Sequence, residues 1–515
     1  MGVELTPLLA MAIPAAGAVA IALLGRWPNL REAATLTTAG LLLAVVLGLA
    51  NQELARGAAG GNFGPAFSLG EMIPGMALEF RVEALGVIYA LVASGLWLLN
   101  SVYSIGYMRA HHEENQTRFY MCFGLAMASV MGIAFASNMF TLFVFYEALT
   151  MTTYPLVAHA GTPTALRGAR TYLGVLVTTS ICFLLLGTSL TWYLTGNLDF
   201  SVEGVFAAGV ETNSISSGMV ALLYGLFVYG IGKAAVMPAH RWLPAAMVAP
   251  TPVSAFLHAV AVVKAGVFSV LKITVYLFGL DTLKGVGGTD FFIYAACFTI
   301  IAGSGVAMFQ DNLKRRLAYS TISQLAYIVL GAALLTPSGI EGAGLHIVMH
   351  AWGKITLFFC AGAVMVAAHK TDISQMKGLG RKMPFTFGAF AIASISIIGL
   401  PPMGGSWSKW YLMMGSLEAD KSWIVWVLVV SSLMNIAYLL PVATNAFFLS
   451  PDEKPSPDVH GDHGHDDHGT VAHSASGIQE APLLCVIPLC LTALGSFLLF
   501  LYPGPILTLC QMIGS

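Results

Sequence analysis

Charge is scarce in this sequence: Asp, Glu, Lys and Arg together make up 10% of its 515 residues, against about a quarter in an ordinary soluble domain. That shortage excludes a water-soluble globular chain. A net charge of -2 at pH 7 gives no basic surface for nucleic acid. The seven cysteines are scattered with no CxxC pair, so neither a zinc site nor an iron–sulfur cluster is indicated. No phosphate-binding glycine loop or flavin fingerprint occurs, and no cofactor is expected in this chain. What fills the sequence instead is apolar: 57% hydrophobic residues and a mean hydropathy of +0.77. The fold class is therefore an all-α polytopic membrane protein embedded in the lipid bilayer.

Apolar runs predict fourteen transmembrane helices, at roughly 5-25, 33-50, 83-105, 119-136, 138-158, 171-194, 217-237, 253-279, 290-309, 317-335, 344-367, 384-416 (in two parts), 422-448 and 482-502. The N-terminal run lacks a preceding basic stretch and a cleavage site, so it is read as a retained first helix. Basic residues test the count. Fifteen fall on one face, including Arg26, Arg109, Arg118, Arg167, Arg241, Lys314, Lys377 and Lys454, and only Arg56, Arg81, Lys284 and Lys421 on the other. Fourteen spans with both termini outside satisfy that asymmetry. Five units follow: 1-110 with helices 1-3, 111-280 with helices 4-8, 281-450 with helices 9-13, a His/Asp-rich cytoplasmic loop at 451-481, and helix 14 with the C-terminus at 482-515.

A few charges lie inside the spans, where a central lysine costs about 2.5–3.5 kcal/mol on insertion scales. They are Glu147, Lys233, Lys264, Lys354 and Lys409, with Lys272 nearer a helix end. Lys272 is expected to snorkel to the interface. Burial disfavours a charged ammonium and a nearby carboxylate restores it, so a lysine beside Glu147 can hold or release a proton as the pair closes or opens. His346, His350 and Lys354 follow an i, i+4, i+8 spacing on one helical face, a row along which imidazoles can pass protons. His258 stands near Lys264 and extends that row across the bundle. A bis-histidine haem would need His258 as its facing ligand.

Helices 7 and 12 are expected to be broken beside a lysine. Pro238 follows Lys233, and Pro401, Pro402, Gly404 and Gly405 precede Lys409. Such breaks free backbone groups at membrane depth, which must line a polar cavity or be buried in protein. Broken helices at corresponding places in two halves point to inverted repeats, here helices 4-8 and 9-13.

Four segments carry a family resemblance: FVFYEALTMTTYPL, GKAAVMPAHRWLPAAMVAPTPVSAFLHAVAVVKAG, DNLKRRLAYSTISQLAYIVLG, and HIVMHAWGKITLFFCAG with GLPPMGGSWSKWYL. They resemble the antiporter-like subunits shared by Mrp-type multisubunit cation/proton antiporters and respiratory complex I. The resemblance implies fourteen helices, two inverted five-helix repeats and a midplane proton route. In that route Glu147 and Lys233 would be an essential pair, Lys264 the bridge to His346, His350 and Lys354, and Lys409 the outlet. Lysine at position 409 is most similar to the D-type subunit of Mrp antiporters. Ala245 departs from the acidic or amide residue common after WLP.

The stretch HGDHGHDDHGTVAH carries His460, His463, His465 and His468, a weak candidate for zinc or nickel and more simply a solvated loop. The functional expectation is a proton-translocating subunit of an Mrp-type Na⁺/H⁺ antiporter in a bacterial-type cytoplasmic membrane. Its partners would be other membrane subunits, and it would not be an enzyme by itself. The alternative is a membrane-arm subunit of complex I or a related hydrogenase-type complex. Na⁺ is left open, since it favours clustered oxygens and one mid-span carboxylate is visible.

Overall fold

The computed structural model of the chain describes residues 6–61, 63–287, 289–450 and 477–513. Among the described residues nine helices are long and apolar enough to cross a membrane, and Pro7–Leu23, Ser217–Gly230 and Pro384–Ile398 are shorter apolar helices. Met139–Val157 and Leu313–Ala333 bring the rods to fourteen, as the hydropathy and charge pattern predict. The protein is a multi-pass membrane protein.

The eighth span, Thr251–Phe278, is buried on every side, whereas the second (Pro28–Ala58) and thirteenth (Trp423–Phe448) have most of their apolar windows on the outside of the bundle. Everything else is arranged around that central rod. It is not a single continuous helix: it pauses at Val260 and Ala261 between Thr251–Ala259 and Val262–Lys272, and widens into a π-helix at Ile273–Phe278. The Ala261 carbonyl, just past the pause, accepts both the Ala265 N–H and the Tyr89 hydroxyl, each at 2.9 Å. Sequence reading predicts two broken helices and misses this third break, because no proline or glycine marks it.

The two predicted breaks are present. In the seventh span the α-helix stops at Gly230, a single 3₁₀ turn holds Lys233, and Ala235 takes a left-handed conformation with φ 56°. The loosened backbone is satisfied inside the protein: Trp242 Nε1 donates to Gly232 O at 2.9 Å and Thr299 Oγ1 accepts from Met237 N at 3.2 Å. In the twelfth span the chain leaves the helix through Gly399 at φ 88° and resumes at Gly405. A Cβ on Gly405 would sit 1.9 Å from Ser396 O, so only glycine allows the two half-helices to meet there.

The repeats can be read in the loops. Asn138 caps the fifth span by accepting from Thr141 N at 2.8 Å and bridges to Asp199 just after the sixth span. Asn312 caps the tenth span by accepting from Arg315 N and bridges to Asp372 just after the eleventh. The same device thus recurs five spans later, an odd number, and so on the opposite face of the bundle.

One element departs from the all-helical expectation. Strands Ala66–Ile73 and Met76–Arg81 form an antiparallel hairpin between the second and third spans. Pro74 and Gly75, the latter at φ 79°, supply its turn. The side of the bundle carrying this hairpin is called the hairpin face below, and the other the basic face.

Candidate functional site

Lys233, Lys264, Lys354 and Lys409 are all buried, with exposures of 0 to 4%. The structure brings the predicted residues together along the middle of the bundle, with contacts that the sequence does not announce. Gly266 makes the first approach feasible: a Cβ there would lie 2.3 Å from Ala234 N, so the eighth span packs directly on the break that holds Lys233. Lys233 Nζ donates to Tyr146 O at 2.6 Å and lies 3.1 Å from the centre of the Tyr146 ring. Its own backbone N–H donates to the Tyr146 hydroxyl. Glu147, the next residue, is half-buried and leaves Oε1 without a protein partner. Its charge acts on Lys233, but the two form no ion pair; the lysine meets Tyr146 instead. The Glu147–Lys233 pair is therefore open in this structure.

At the centre, Lys264 Nζ lies 2.7 Å from Nδ1 of His350. A protonated lysine can donate there only if Nδ1 carries no hydrogen, which puts the neutral ring's proton on Nε2. That Nε2 is buried with no protein partner. His346 lies 5.7 Å from His350, ring to ring, stacks on Tyr327 at 5.4 Å, and places Nδ1 2.9 Å from Ser408 Oγ. Ser408 adjoins Lys409, whose Nζ donates to Ile398 O at 2.7 Å and Ser432 Oγ at 2.9 Å and faces the Tyr327 ring at 5.1 Å.

Lys354 does not stand between His350 and Lys409, as a simple ordered row would have it. The eleventh span runs from the hairpin face at Pro337 to the basic face at Ala368, which puts His346 towards the former and Lys354 towards the latter. Lys354 Nζ donates to Ser320 Oγ at 2.6 Å, and Tyr438 donates to the same oxygen at 2.7 Å. The row therefore forks at His350. His258 lies on the Lys354 side of the fork: the charges of Lys354 and Lys314 both reach it, Phe358 packs on its ring at 4.8 Å, and neither ring nitrogen has a protein partner. Two turns above it, Thr251 lines a basic-face cleft of about 210 Å³ together with Lys314, Lys370 and Glu113.

Unpartnered buried atoms concentrate along this route. Besides Glu147, His258 and His350, they include His346 Nε2, both polar atoms of Gln324, and Asn435 Nδ2. Buried polar groups of this kind are ordinarily satisfied by internal water.

Lys272 corrects the sequence expectation. It does not snorkel: it is fully buried, and its Nζ pairs with Glu83 Oε1 at 2.7 Å and donates to Ala136 O at 2.6 Å. Glu83 opens the third span, at the first residue of the run read from hydropathy, and its approach to the eighth span depends on packing that spacing along the chain does not show. Sequence reasoning also missed Tyr146, Ser320, Tyr327 and Ser408. A signal existed for two of them, because Ser320, Gln324 and Tyr327 form an i, i+4, i+7 polar stripe on the tenth span. Among the described residues no cluster of His, Cys, Asp and Glu is arranged to hold a metal. His460, His463, His465 and His468 lie outside the described residues.

Residues 136–435, which contain every member of this row, match the family described as "NADH:quinone oxidoreductase/Mrp antiporter, TM". The chain belongs to that family. It is 36% identical over 383 residues to NADH-quinone oxidoreductase subunit N of Desulforudis audaxviator, covering 73% of this chain and 74% of that one. It is 30% identical over 467 residues to NAD(P)H-quinone oxidoreductase chain 5 of Synechocystis, covering 84% of this chain and 66% of the relative. A chain of the Mrp complex from Dietzia shares the fold, with a TM-score of 0.84 at 22% identity over 100% of this chain and 97% of that one. So does a chain of the archaeal membrane-bound sulfane sulfur reductase, with a TM-score of 0.82 at 23% identity over 99% and 96%. This is thus an antiporter-like membrane subunit of the Mrp and complex I family. Relatives named for quinone oxidoreductases and a fold neighbour named for Mrp leave the parent complex open between the two.

Proposed function

We propose that this chain conducts protons across the membrane as one subunit of a larger membrane assembly. The observation that carries the reading is the 2.7 Å contact between Lys264 and His350, which joins the two halves at a distance where a proton can pass between nitrogens. Protons enter by the basic-face cleft and reach Lys354 and His350 by way of His258. They leave through His346, Ser408 and Lys409 towards the hairpin face. Closing the Glu147–Lys233 pair holds a proton in the first half; opening it, the state seen here, frees the lysine's proton for Lys264. The chain does no redox chemistry by itself.

The parent complex is read as an Mrp-type Na⁺/H⁺ antiporter of a bacterial-type cytoplasmic membrane, with both termini outside. Lys409 and its surrounding GLPP and SKWYL residues support this, as does the fold shared along nearly the full length with a chain of an Mrp complex. A redox-driven complex is the second reading, favoured by the 36% identity to a quinone oxidoreductase subunit N. Proton flux is to be measured in vesicles containing the purified assembly, with Lys233→Ala and Glu147→Gln variants; unchanged flux in both would sink the proposal. Co-purifying subunits separate the two parents: small membrane chains and Na⁺-dependent flux support the antiporter, quinone-site and iron–sulfur subunits the redox pump.

A further inference from the structure

The route above leaves unused the most charged buried cluster in the described protein. Lys272 and Glu83 are at its centre, both essentially unexposed. Glu53, on the second span, is likewise fully buried, and its Oε1 has no protein partner. The charge of Glu83 acts on it, and on its other side it pairs with Arg56, whose side chain is 24% exposed. Arg81 completes the cluster; its charge acts on Lys272, its guanidinium donates to Phe200 O at 2.6 Å, and Phe63 packs against it.

Two carboxylates face three cations here. Arginine does not release its proton in proteins, so Lys272 is the one member able to bring the cluster to neutrality. It is placed to do so. Lys264 precedes it by two turns of the same helix, roughly 12 Å along the axis, and the buried hydroxyl of Ser269 lies between them with no partner. Immediately after Lys272 the helix widens into the π-helical turn Ile273–Phe278, a distortion common at functional positions. Above the cluster the hairpin and loops are laced shut, with Arg81 N donating to Phe135 O at 2.7 Å and Ser201 N to Tyr276 O at 2.9 Å. Arg56 and Arg81 are the partly exposed members of the cluster, and Arg56 is the one that pairs with Glu53.

We infer that Lys272, Glu83 and Glu53 form a second proton outlet on the hairpin face, serving the first half directly from Lys264. Lys264 gives up one N–H proton through the Ser269 hydroxyl and internal water to a neutral Lys272 amine, which becomes the ammonium. That ammonium returns to the amine as Glu83 is protonated, and the proton moves from Glu83 to Glu53 and then to water beside Arg56. The inference rests on the proposed proton-conducting function.

The test uses the full complex in vesicles, with flux followed by a fluorescent pH dye and assembly by gel filtration. Both variants are made in a Lys409→Met parent, so that the flux that remains reads this outlet: Lys272→Arg keeps the charge and the ion pair but cannot release a proton, and Glu53→Gln leaves the Lys272–Glu83 pair intact; each is expected to lower that remaining flux on the order of tenfold in an assembled complex. The double variant Lys272→Met with Glu83→Leu removes both partners of a structural ion pair, a change that buried pairs often tolerate, and is expected to assemble and still lose flux. Flux within about twofold of the parent in Lys272→Arg and Glu53→Gln overturns the outlet, whether or not the double variant assembles. If Lys233→Ala in the same experiment has lost flux, the proposed function stands without the outlet; if it too is unchanged, both fall.

Discussion

The two halves of the bundle treat their buried lysines differently. In the first half Lys272 is paired with Glu83, and Lys233 contacts Tyr146, the chain neighbour of Glu147, whose charge acts on it. In the second half no carboxylate comes within ion-pair distance of Lys354 or Lys409 among the described residues; hydroxyls and carbonyls meet them instead. A neighbouring carboxylate favours the charged ammonium, whereas burial alone favours the neutral amine. Under the proposed function, the first half holds protons and the second passes them on. Lys264, which has a histidine for a partner and no acid, belongs by chemistry to the second half although it sits on the last helix of the first.

The comparison can be broken by putting an acid where the second half has none. Ser320→Asp places a carboxylate against Lys354, and flux in vesicles is expected to fall by at least about tenfold as the proton becomes trapped on that lysine. The halves can also be pushed apart. Gly266→Ala drives a Cβ into the backbone at Ala234, and the expected cost of about 1–3 kcal/mol should appear as a lower melting temperature of the purified complex. His258→Phe keeps the packing on Phe358 and removes the imidazole between the basic-face cleft and Lys354; flux should fall a few-fold, on the order of 1 kcal/mol. The smallest effect is expected from Ser432→Ala, which removes one of the hydrogen bonds to Lys409 and should change flux by no more than about threefold, leaving Ile398 O to hold the ammonium.

Much of this comparison was legible in the sequence, because charge inside an apolar run is costly and so conspicuous. Glu147, Lys233, Lys264, Lys354 and Lys409 stand out for that reason, and the two proline and glycine breaks announce themselves chemically. What was not legible depends on which helices touch. Lys272 has the sequence appearance of a snorkelling residue; only the approach of Glu83 from the third span, five spans earlier in the chain, makes it a buried pair. The fork at His350 is set by the direction of the eleventh span relative to the twelfth, which spacing along one helix cannot supply. The pause at Val260 and Ala261 has no breaker residue at all, and is held by a tyrosine hydroxyl from the third span.

The central claim is that Lys264 and His350 are the junction between a half that holds protons and a half that passes them. Proton flux through vesicles carrying the assembled complex with Lys264→Met tests it most directly, since methionine keeps most of the side-chain volume and loses the amine. Flux at the level of empty vesicles, with assembly and melting temperature unchanged, is the predicted result. Flux equal to that of the unaltered complex would contradict the account.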